Sequence, residues 1–253
     1  MRETVALIGD VDDAGWAAIK AVIETVGVAS VEALKVAVSV EHDGLATERA
    51  DTIIVGFGLR SVNRLASLVG DSRWFVQCRG AKLLGRIGAA EAVPLLQPLL
   101  RQKDPRVARA AITALGAIPD PAAARAIQTV LRAATGALRR AVIDALVAER
   151  DPRVVPMLVR IIEESQALGK DHDVVLETIE GLGTVGSDAA VPVLANMAQR
   201  RAFFGRRKLR ALKERSVNAL ARVGGAKADT VLRNAAQTGD RMLKKIVEQQ
   251  VRG

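Results

Sequence analysis

Four groups of residues have the types and spacing that could do chemistry. GLGTVG (181–186) has the letters of a phosphate-cradling G-x-G-x-x-G loop. His42 in EHDG and His172 in KDHD each lie beside carboxylates and could ligate a metal. Cys78, the one cysteine, sits in DSRWFVQCRG (71–80) with Trp74, Phe75, Arg73 and Arg79, where it could act as a nucleophile or mark a binding site. QRRAFFGRRKLRALKERS (199–216) carries Arg200, Arg201, Arg206, Arg207, Lys208, Arg210, Lys213 and Arg215, opposed only by Glu214. Clustered guanidinium groups hold phosphate or carboxylate bidentately.

The elements that must position these residues follow from an internal repeat. Apolar anchors fall at Val22, Ile53, Leu84, Leu115, Leu146, Leu182 and Leu220, spaced 31, 31, 31, 31, 36 and 38 residues apart. A period of this size is one helix–turn–helix unit that is too small to bury its own apolar face and must stack on its neighbours. Asp104-Pro105, Asp120-Pro121 and Asp151-Pro152 read as N-caps followed by Pro in the first helical turn, where its missing N–H costs nothing. Ser187-Asp188 and Asp240 offer similar caps, and Gly85, Gly88, Gly116, Gly183 and Gly186 are expected near helix ends. VARAAITALGAI and LRRAVIDALVAE place apolar residues at i, i+3, i+4 and i+7, one helical face.

DPRVARAAITALGAI followed by AAARAIQTVL resembles a HEAT repeat, in particular the short bacterial HEAT-like type found also in phycobilisome lyase subunits. The likeness runs over residues 12–250 and is strongest over 71–200. It implies an all-α, right-handed α-solenoid of six to seven repeats whose inner helices line a concave binding face. The whole chain, 1–253, is then one solenoid with divergent repeats over 1–60 and a basic terminal repeat over 200–253. Trp74-Phe75-Val76 is similar to a W-[FY]-V-x-R-N opening of such proteins, from which Cys78 and Arg79 depart.

The repeat settles most of the chemistry. GLGTVG aligns with LLGRIG (83–88) as a helix end, whereas a dinucleotide loop needs a strand before it and a helix opening on it. No carboxylate lies between Asp188 and Glu214 to take a ribose. Neither His has a second His at helical spacing, and the two stand four repeats apart in an array where only neighbours touch. Both are expected as capping or exposed loop residues, and a Cys78–His pair is excluded on the same ground. No catalytic set, cofactor or metal is expected. Cys78 is read as a small buried hydrophobe. Trp74 and Phe75 either wedge adjacent repeats together or rim a partner groove beside Arg73 and Arg79.

Composition bounds the rest. Hydrophobic residues make up 49% of 253, dominated by small aliphatics with no Tyr, as closely packed helices prefer. One cysteine allows no internal disulfide, and no apolar run approaches the roughly 20 residues of a span. With no signal-peptide pattern at the start, a cytoplasmic protein is expected. The repeat frame begins mid-unit, which suggests an N-terminal extension in a longer protein. Net charge is +9, with 15 Lys/Arg against 4 Asp/Glu in residues 200–253 and 5 against 10 in residues 1–60. Two functions fit. One is a non-catalytic scaffold holding a protein partner on the concave face, with Arg109, Arg139 and Arg140 as inner-helix candidates. The alternative is a nucleic-acid or other polyanion site at 200–215, against a plain reading of that stretch as a solvated loop with both Phe tucked into the last groove. A charge-paired dimer, acidic end to basic end, and a lyase-type chaperone or enzyme are more remote.

Overall fold

The computed structural model describes residues 8–41, 44–134 and 136–252. Among them there is helix and no strand, and the chain divides into two compact units, 1–119 and 120–253. His42 lies outside the described residues.

In the first unit, helices α1 (Asp13–Val26), α2 (Val31–Val38) and α3 (Leu45–Gly56) precede α4 (Trp74–Ile87) and α5 (Pro105–Gly116). Between α3 and α4, and again between α4 and α5, the returning helix is broken into short α and 3-10 pieces over 59–69 and 90–101. Helix α4 packs between α3 and α5. Their shared core is Ile53, Leu65, Leu84, Leu96 and Leu115. The N-terminal frame is displaced by one residue from the expected one. Val22 is 60% exposed and Ile23 takes the core position. One residue turns an α-helix by about 100°, enough to move a side chain from the core to solvent.

In the second unit the order is α6 (Pro121–Ala133), α7 (Gly136–Val147), α8 (Val155–Glu163), α9 (His172–Val185), α10 (Val191–Gln199), α11 (Arg206–Val223), α12 (Gly225–Thr238) and α13 (Arg241–Arg252). Helices α7, α9 and α11 lie side by side in one row, with α8 and α10 packed behind α9 and α11. Leu146, Ile179, Leu182, Leu212 and Leu220 bury along the row, and Val217, Leu243, Ile246 and Val247 close its end.

The caps form as their chemistry requires. Asp104, Asp120 and Asp151 accept from the backbone N–H groups of Arg106, Ala122 and Arg153. Ser187 and Asp240 accept from those of Ala189 and Leu243. Gly88 and Gly186 end α4 and α9 in the left-handed region, at φ 70° each. Gly85 and Gly183 do something else. They sit inside helices, where a Cβ on Gly85 would come 2.7 Å from the Ala114 Cα and one on Gly183 would come 2.9 Å from the Ala219 Cα. They are glycine because two helix backbones meet there, not because a helix stops.

Candidate functional site

The aromatic cluster in the first unit is a helix start locked by charge. Helix α4 begins at Trp74, three residues after Asp71, so neither Asp71 nor Ser72 is its N-cap. Asp71 instead accepts from the backbone N–H and the guanidinium of Arg73, at 2.8 and 2.9 Å. Asp104–Arg106 and Asp151–Arg153 repeat this Asp-x-Arg clasp. The Arg73 side chain holds Asp71 down to about 2, and Arg106 likewise lowers Asp104. Arg106 also stacks 3.4 Å above the Trp74 ring, which meets Phe75 edge to face at 5.8 Å. Arg73 covers Phe75 at 5.5 Å. Both rings are half-buried, and Arg106 ties the start of α5 to the start of α4. Cys78 is half-buried, and burial raises its thiol, so it lacks the depressed pKa of a nucleophile.

Arg79 turns inward. Its guanidinium lies 3.1 Å from the Asp51 carboxylate, with Arg86 at 3.4 Å from the same oxygen. Burial pushes Asp51 up to about 6, while Arg86 and Lys82 pull against that rise. The other carboxylate oxygen, Oδ1, is buried without a hydrogen-bond partner. Arg79 thus differs from the expected rim residue: it serves the interface between α3 and α4.

Of the three inner-helix candidates, Arg109 on α5 and Arg140 on α7 are exposed. Arg139 is not. Its guanidinium donates to the carbonyls of Leu131 and Ala134 at 3.1 and 2.8 Å, satisfying the C-terminal end of α6. Arg140 lines a cleft of about 100 Å³ between α7 and α9, with Ile143, Asp144, Glu177, Glu180 and Thr184. Glu177 Oε2 is buried there without a hydrogen-bond partner. Burial raises the Glu177 carboxyl, opposed by Arg139 and Arg140. A second cleft of about 70 Å³ continues from Glu180 to Arg215, Asn218 and Arg222. Glu180 pairs there with Arg215 and, at 3.9 Å, with Arg222.

The sequence reading missed this carboxylate stripe. Its signal was the i, i+3, i+7 spacing of Glu177, Glu180 and Thr184, which lines them along one side of α9.

The basic segment divides into two populations. Lys213 corrects the expectation of a surface cation: it is fully buried, and its ammonium donates to Ala198 O at 3.0 Å and Asp240 Oδ2 at 2.7 Å. Arg215 is taken by Glu180, Arg210 pairs with Glu214 at 2.7 Å, and Lys208 donates to Gly169 O at 2.8 Å. Arg200, Arg201, Arg206 and Arg207 are exposed. Phe203 and Phe204, expected in a groove, are 97% and 89% exposed.

His172 stands at a helix start, and of the two expectations, a capping or an exposed loop residue, its burial overturns the exposed one. It is buried at the start of α9 with Nδ1 2.8 Å from Ala167 O, and since a carbonyl only accepts, the proton is on Nδ1. GLGTVG is the last turn of α9. Among the described residues no group of three or more His, Cys, Asp or Glu could hold a metal ion.

The fold and this ladder of paired helices define an all-α repeat solenoid. A family model described as HEAT repeats matches residues 62–146 and 100–169. No curated protein matches the sequence. Among solved structures, human deoxyhypusine hydroxylase in complex with glycerol is similar at 17% identity and TM-score 0.39, over 90% of this chain and 97% of that one. The CpcE–CpcF complex of phycocyanin lyase from Nostoc sp. PCC7120 is similar at 19% and 0.38, over 97% and 94%. YibA of Escherichia coli is similar at 14% and 0.39, over 99% and 92%.

Proposed function

We propose that this chain is a non-catalytic scaffold that holds a protein partner along the row formed by α7, α9 and α11. One observation carries the reading: Glu177 Oε2 is buried in the wall of the α7–α9 cleft with no hydrogen-bond partner. A buried carboxylate oxygen left unpaired is costly, and a donor brought by a guest relieves that cost. The guest chemistry that fits is a Lys or Arg side chain, with Asp144 exposed on the opposite wall to share its charge. At about 100 Å³ the cleft suits one side chain, well below the roughly 300–1,000 Å³ of a small-molecule site.

The test is site-specific photocrosslinking in the native host. A crosslinker at Asp144 or Thr184 is expected to trap one protein species, and Glu177→Lys to abolish the trap. A crosslinker at Glu163, on the far row, serves as the control. Equal labelling from all three positions, or an unchanged trap in the Glu177→Lys chain, defeats the reading.

A further inference from the structure

We infer that the loop 200–205 and the start of α11 dock peripherally on an anionic lipid surface. Phe203 and Phe204 stand adjacent at 97% and 89% exposure, more exposed than the other large hydrophobics of the described residues. Adjacent rings this exposed leave apolar surface in water that a second phase would remove.

The charge around them is arranged to match. Arg200 and Arg201 precede the rings, and Arg206, Arg207 and Lys208 follow them, all exposed. Among the described residues no carboxylate pairs with Arg201, Arg206 or Arg207, although other arginines of this chain find partners readily. Gly205, at φ 73°, takes a left-handed turn that a side chain would resist and so sets the loop at the head of α11.

The occupant follows from this pattern. Two exposed rings, with cations on both flanks that no described carboxylate pairs, present an apolar point backed by positive charge. A bilayer interface accepts aromatic rings at headgroup depth and offers anionic headgroups that rearrange to meet cations at any spacing. Stacking on nucleic acid would use ring faces on a platform tracking a backbone, and this loop supplies one isolated pair. No single helix among the described residues is long and apolar enough to cross a membrane.

The probe is a set of vesicles of phosphatidylcholine alone and with about a third phosphatidylglycerol, tested by co-sedimentation with the full chain. Binding is expected to the anionic vesicles only. Arg201→Gln/Arg206→Gln/Arg207→Gln should weaken it roughly a hundredfold, at about fivefold per cation. Phe203→Ser/Phe204→Ser should weaken it by roughly tenfold or more while leaving thermal stability unchanged, because neither ring touches the core. Phe203→Trp should shift its emission to the blue on anionic vesicles.

Two results overturn the inference. One is no vesicle binding by the wild type. The other is binding to duplex DNA and to vesicles that depends equally on the arginines and not at all on the two Phe, the behaviour of a general polyanion site.

Discussion

Removing the Lys213 ammonium should destabilise the C-terminal end of the second unit. The perturbation is Lys213→Met, which keeps most of the stem volume and so limits any cavity. Two interactions are lost: 3.0 Å to Ala198 O, at the end of α10, and 2.7 Å to Asp240 Oδ2, the cap of α13. Stripping one partner from a fully buried pair costs about 3–5 kcal/mol. Asp240 is 32% exposed and keeps its bond from Leu243 N–H, so water absorbs part of its orphaned charge. The Ala198 carbonyl has no such relief. About 2–3 kcal/mol remains, or about 8–12 °C in Tm at roughly 4 °C per kcal/mol. Urea unfolding followed by circular dichroism measures it, and a double-mutant cycle with Asp240→Asn isolates the pair.

The pH dependence of this clasp has a definite sign. Burial raises the Asp240 carboxyl, but the Lys213 bond and the backbone bonds outweigh it and leave the folded-state value depressed. The clasp is therefore in place above the unfolded carboxylate range, about pH 4, and is lost as pH falls through the depressed folded value. A Lys213→Met chain within about 0.5 kcal/mol of wild type would show that the ammonium behaves as an ordinary exposed cation. The same variant should bind anionic vesicles as well as the wild type does.

Two further outcomes follow from the buried features. Gly183→Ala drives a Cβ to 2.9 Å from the Ala219 Cα, and since both atoms belong to helix backbones the cost should be roughly 1–2 kcal/mol after the gain in helix propensity, read by urea midpoint. For Asp51, a folded value of about 6 against an unfolded value near 4 means that the folded state holds the extra proton. Its contribution to stability is therefore greatest below pH 4 and fades as pH rises through 6. Between pH 7.5 and 5.5 it should add about 0.8 kcal/mol, and Asp51→Asn should remove that increment from the pH profile.

The helices, their caps and their stacking were legible because each rests on local spacing. Asp104, Asp120 and Asp151 announce helix starts by a side chain two bonds from the backbone they cap, and the leucine period survives any change of partner. The frame slipped where the caps thin out, at Val22, because one residue of register there changes no local rule. Gly85 and Gly183 were visible as glycines but not as crossing points, since a left-handed turn and a close approach both call for a missing Cβ. The cleft was hidden for another reason. Glu177 and Glu180 look like solvated surface until α7 and α11 are laid on either side of α9.

Charge gives the sharpest case, because net charge counts residues and recognition depends on which charges are left unmatched. Asp71–Arg73, Asp104–Arg106 and Asp151–Arg153 are neutral by construction. Lys213, Arg210 and Arg215 are consumed by Asp240, Glu214 and Glu180. The free field of the basic segment therefore contracts from eight residues to the stretch around Arg201, Arg206 and Arg207. That remnant encloses Phe203 and Phe204, the most exposed large hydrophobics among the described residues. Free cations and uncovered rings coinciding in a six-residue loop and the turn after it distinguish this segment from a merely solvated one. A loop kept only for solubility has no use for two exposed phenylalanines.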